Sequence, residues 1–99
     1  MSNNSKRIHK ARRARTRIAQ TFAALDNDQL SATDVLERPP DALGRIRVYD
    51  VLRRIPHLNR DGAENVCRRA KVWPLKRMDA LTPEERQRLI IALPPRVKR

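Results

Sequence analysis

The 99-residue sequence carries 23 Lys+Arg against 11 Asp+Glu, a formal net charge of +12, with 23 Leu, Ile, Val and Phe. That apolar share lies just above the ~20% level below which charged chains stay disordered, so one small domain with a modest core can form. No run reaches the length of a membrane span, no signal-peptide core opens the chain, and Cys67, His9 and His57 fall short of a disulfide or a four-ligand zinc site.

Residues 1–5 are polar and are expected to be disordered. From Lys6 to about residue 27 there is no Gly or Pro, and Ile8, Ala11, Ile18, Ala19, Phe22 and Leu25 recur mostly at three- and four-residue spacing. This predicts a long basic helix with a sparse apolar stripe. Residues 28–95 are expected to form the helical core, and 96–99 a basic tail. Ser31 is placed to cap a short helix running to about Glu37, with Asp34 in its first turn, and Pro39-Pro40 end it. Val48, Val51, Leu52 and Ile55 mark one apolar helix face, stopped by Pro56. Asp61 is expected to cap the next helix, on which Ala63, Val66, Cys67 and Ala70 repeat that spacing. A loop over Lys71–Asp79 leads to Thr82-Pro83-Glu84-Glu85, which reads as an N-cap, a proline at the first helical position and a capping box. Leu89, Ile90 and Leu93 are the expected buried face of the last helix, ended by Pro94-Pro95. No segment alternates with period two. The chain reads as all-α, with about five helices.

The charge is divided into blocks: +7 over residues 1–25, −3 over 26–52, +6 over 53–78 and +2 over 79–99. Seven cations without an acid in the first block repel one another at helical spacing, which points to a polyanionic partner. Ile55-Pro56-His57-Leu58-Asn59-Arg60-Asp61-Gly62-Ala63 reads as a hairpin between two helices, with Leu58 plugging the pair and Asn59 tolerating a left-handed backbone. Its amides and the following helix N-terminus would face outward as a phosphate site, flanked by Arg53, Arg54, Arg60, Arg68 and Arg69. An ordinary helical hairpin would give the same pattern. Lys76-Arg77 stands in a neighbouring loop, where a solvated pair is the commoner outcome. His57 is a polar or phosphate contact at most. Trp73 could stack on a base, but beside Val72 and Pro74 it is expected to lid the core, and Tyr49 is expected to point its hydroxyl away from Val48 and Val51. Cys67 takes a core position. No nucleophile–base–orienter set or metal cluster emerges, so an enzyme is not expected, and neither is a cofactor. Two glycines and three aromatics argue against a nucleotide loop and a stacking-type RNA platform.

The stretch Gly44-Arg-Ile-Arg-Val-Tyr-Asp-Val-Leu-Arg-Arg-Ile-Pro-His-Leu-Asn-Arg-Asp-Gly-Ala63 resembles the G-K-x-K-V-x-x-L-L-x-x-L-P-x-V-G-x-x-x-A segment of the actinobacterial-type integration host factors. Val72-Trp-Pro-Leu-Lys-Arg-Met78 and Leu81 are similar to that family's I-x-x-x-R-R-x-R-G-L loop, and Glu85-Arg-Gln-Arg-Leu89 to its closing helix. The basic Ala11-Arg-Arg-Ala-Arg15 is similar to its N-terminal helix, so the resemblance spans roughly residues 10–93. It implies a helix–two-turn–helix core like that of a ribosomal small-subunit protein. It also implies a nucleoid-associated, largely sequence-nonspecific duplex DNA binder that bends DNA and assists phage integration, with an integrase or nucleoprotein complex as a further partner. Carried over, Asn59, Arg60, Asp61 and Gly62 of the hairpin would face a phosphate, and Arg45 and Arg47 stand where the family has lysines. The basic residues Arg12, Arg13 and Arg17 of the first helix, with His57, complete the expected DNA-binding set. Lys76 and Arg77 would lie near a groove. Asn59 stands in place of a glycine, Gly62 of a basic residue and Asp79 of a third arginine, a divergence that suits a phage-encoded relative. The expectation is a cytoplasmic, nucleoid-located monomer without membrane or small-molecule partners. A ribosomal or structured-RNA binder, or a helical adaptor for an acidic host protein, are the competing readings.

Overall fold

The computed structural model describes residues 2–95 and 97, with side chains at residue 13 and from residue 15 on. Five α-helices form: α1 (Ser2–Asp26), α2 (Ala32–Glu37), α3 (Val48–Arg53), α4 (Arg60–Ala70) and α5 (Pro83–Ala92), with 3-10 turns at Asp41–Leu43 and Met78–Ala80. The all-helical architecture matches the expectation among the described residues.

The first helix begins at Ser2, so residues 2–5, expected to be disordered, form its opening turn. Ile18 and Phe22 are half-buried and Leu25 is buried, so among the described side chains the C-terminal part of the helix is held by the core. It ends where Asp28 turns left-handed at φ 59°. The Gln29 amide then donates back to the Ala24 carbonyl at 2.8 Å and that of Asp28 to Leu25 at 3.3 Å, a Schellman closure that satisfies the last carbonyls. Ser31 and Asp34 form a full capping box on α2, and Thr82 and Glu85 one on α5, with Pro83 in the first turn. α5 packs against both α2 and α4, closing a core of Leu36, Leu43, Leu52, Val66, Met78 and Leu89 with their neighbours. Ile90, expected to be buried, is only half-buried beside Leu89 and Leu93. The overall extents of 50 × 27 × 21 Å reflect the reach of α1, since a helix rises about 1.5 Å per residue.

Two details of the α3–α4 turn depart from expectation. Asn59, not Asp61, caps α4: its Oδ1 accepts from the Gly62 amide at 2.7 Å. The left-handed residue is His57, at φ 68°, while Asn59 is extended at φ −84°. The two corrections share a cause, because an N-cap side chain reaches forward to its helix only from an extended backbone. Leu58 plugs the turn as expected and is 5% exposed.

Candidate functional site

The backbone on either side of the α3–α4 pair is zipped together. The Val48 amide donates to the Lys76 carbonyl at 2.8 Å and that of Met78 to Ile46 at 2.9 Å, with Asp79 to Gly44 and Tyr49 to Pro74 each at 3.0 Å. The segment before α3 and the loop after α4 thus run antiparallel, with Arg47 opposite Arg77 as a single bridge. The bonds that flank the bridge make Arg47 and Arg77 a non-hydrogen-bonded pair, the closer of the two antiparallel spacings. Like charges so placed repel. A single bridge leaves no period-two pattern, and the sequence carried no sign of it.

This geometry gathers Arg45, Arg47 and Arg77, all exposed, on one surface. Arg77 Nη2 is paired with Asp79 Oδ2 at 2.5 Å, so the aspartate in place of an expected arginine offsets part of the repulsion. Lys76 is drawn the other way, its Nζ 2.6 Å from Glu85 Oε1 on α5. The Lys76 contact, together with the Thr82 amide, holds the Glu85 carboxyl below its ordinary value of 4.5.

The hairpin also reaches the surface. His57, Asn59, Arg60 and Asp61 are exposed, while Leu58 and Ala63 are buried beneath them. Of the first α4 amides, Gly62 donates to Asn59 Oδ1 and Ala63 to the Asn59 carbonyl, so Gly62 offers no free donor. Those of Arg60 and Asp61 make no hydrogen bond to the described chain and stay available to an anion. His57 sits at a separate recess with Asp28, Ser31 and Pro56. Arg60 and Arg68 line a groove with Tyr49, Trp73 and Leu75.

The expected core lid is overturned: Trp73 is 67% exposed, because Val72 beside it, 4% exposed, already closes that part of the core. Tyr49 is half-buried with the Arg53 guanidinium 5.7 Å from its ring, and Arg54 lies 4.7 Å from the Phe22 ring. Both contacts hold cations of α3 and the turn after it against apolar surface. On α1, Arg13 and Arg17 are exposed, and Arg17 opens onto a recess with Pro40 and Asp41. The side chain of Arg12 lies outside the described residues, as does the tail over 96–99 apart from Val97. Cys67 is buried, and burial pushes its thiol up to about 11. Among the described residues no group of three His, Cys, Asp or Glu could hold a metal, and no helix is long and apolar enough to cross a membrane.

No family model matches the sequence, and no curated protein matches it. Among solved structures, the fold is similar to that of sIHF, an integration host factor determined bound to an 8-base-pair palindromic DNA. The TM-score is 0.73 at 20% identity, covering 87% of this chain and 99% of that one. At that identity the likeness is one of fold.

Proposed function

We propose that this protein binds duplex DNA by its sugar–phosphate backbone and bends it, in the manner of an integration host factor. The observation that carries the reading is the Arg47–Arg77 bridge, which sets two exposed arginines opposite each other across the paired backbone, with exposed Arg45 two residues before Arg47. Such an arrangement costs folding energy that the Asp79 contact offsets only in part, and a bound anion would relieve the rest. The free amides of Arg60 and Asp61 supply a second phosphate position, and the basic residues of α1 extend the contact. Specificity would come from groove width and bendability rather than base edges. The fold shared with a DNA-bound integration host factor supports this reading.

Salt titration tests it. If about six phosphates are neutralised, log K falls against log salt with a slope near −5. Arg47→Ala with Arg77→Ala removes two contacts and lowers the magnitude of that slope by about 2. An affinity indifferent to salt, or a double variant that binds like the parent, overturns the reading. Tighter binding to duplex RNA than to duplex DNA at equal salt would assign the same cations to an RNA backbone.

A further inference from the structure

Resting on the DNA-binding reading, we infer that the groove beneath Trp73 is a stacking site for one unpaired nucleobase of a DNA strand. Trp73 and Leu75 are 67% and 49% exposed, two of the three large apolar side chains that the described residues leave in solvent. With Tyr49 and Pro74 they line a groove of about 570 Å³ walled by Arg60, Glu64 and Arg68.

The groove is fixed rather than loose. Tyr49 N–H donates to the Pro74 carbonyl and Lys76 N–H to that of Trp73, each at 3.0 Å, and the Val72 amide is held by Cys67 at 3.0 Å. Trp73 therefore stands on a backbone anchored on both sides, so the loop itself need not be ordered when the groove is filled.

Three features point to a base as occupant. An exposed indole offers a π-face of the kind on which unstacked bases rest. Arg60 and Arg68, with no ion-pair partner among the described residues, stand where flanking phosphates would fall. Glu64 puts a carboxylate acceptor on the wall, which a base edge with its N–H donors satisfies and a phosphate does not. Trp73 lies on the same loop as Arg77, four residues away, so one strand can lay its phosphates along the bridge and turn a neighbouring base into the groove. A paired duplex keeps its bases stacked and cannot do so.

Trp73 is the one tryptophan of the chain and reports on its own surroundings. Its fluorescence is measured at saturation with a perfect duplex and with the same duplex carrying a single-base bulge, while anisotropy of labelled DNA gives both affinities. The bulged duplex should quench Trp73 and bind at least about fivefold more tightly, the lower end of what a single stacked base supplies. Trp73→Ala should abolish the preference while leaving perfect-duplex affinity within about twofold, and Trp73→Phe should retain most of it. Equal affinity and equal emission with both DNAs overturn the stacking site and leave the DNA-binding reading standing. Loss of perfect-duplex affinity in Trp73→Ala equal to the loss on bulged DNA also overturns it. Failure to bind either DNA defeats both.

Discussion

A Cβ added to Gly62 would stand 2.8 Å from Cδ1 of Leu58, closer than packed carbons approach. The absence of a Cβ at Gly62 thus matters to the side chain that plugs the α3–α4 turn rather than to the residue's own backbone, which has no positive φ. The resembled family pattern has valine at the Leu58 position and a basic residue at Gly62, so the two departures belong together: the longer plug fills the space a Cβ would need. Gly62→Ala should lower stability by about 1 kcal/mol, overpacking outweighing the gain in helix propensity. Leu58→Val should cost about 1 kcal/mol by itself. The double variant should lose clearly less than the sum. A urea double-mutant cycle with no coupling would contradict the contact.

The Arg47–Arg77 bridge predicts a free-energy signature without any ligand. Arg47→Gln removes one of two facing charges and should stabilise the free protein by about 0.5 kcal/mol at low ionic strength. The gain should shrink as salt screens the pair. Thermal melts of parent and variant at low and high salt check this, and a variant less stable at low salt would mean the arginines are already neutralised within the fold.

Glu85 predicts an acid limit. Its carboxyl is held below 4.5 first by the Lys76 hydrogen bond, then by the Thr82 amide. A folded value below the unfolded one means the contribution is complete above pH 4.5 and disappears as pH falls through the folded value. Glu85→Gln, which keeps a capping-box acceptor but not the charge, should be less stable than the parent at neutral pH. The gap should close in acid. Denaturant midpoints measured across that range give the comparison.

Cys67 is buried, with its thiol pushed up to about 11, so little thiolate exists at pH 8. A disulfide reagent should leave it unmodified in the folded protein and react fully once denaturant unfolds the chain. Rapid labelling under native conditions would mean that α4 opens locally.

The helices were legible wherever a local rule acted alone. Thr82-Pro83-Glu84-Glu85 specifies its own cap, and Val48, Val51 and Leu52 declare one face. The cap of α4 was misassigned because Asn59 and Asp61 are both good caps two residues apart, and only the turn's backbone decides between them. Trp73 was misplaced because sequence does not show that Val72 fills the core unaided. Of the expected site residues, Arg45, Arg47 and Arg77 were named one by one, but their meeting depends on backbone pairing between distant segments. For Lys76 the residues favoured a solvated loop position and the family resemblance a groove; its carboxylate partner on α5 was visible to neither.

The position of α5 has a consequence for how the chain is made. It packs on both α2 and α4, and Arg88 Nε donates to the Ala70 carbonyl at 2.8 Å. Until α5 has formed and docked, the faces of α2 and α4 that it covers have no partner. A product interrupted before Pro83 never escapes that condition, which makes it a substrate for chaperones and proteases rather than a smaller working version.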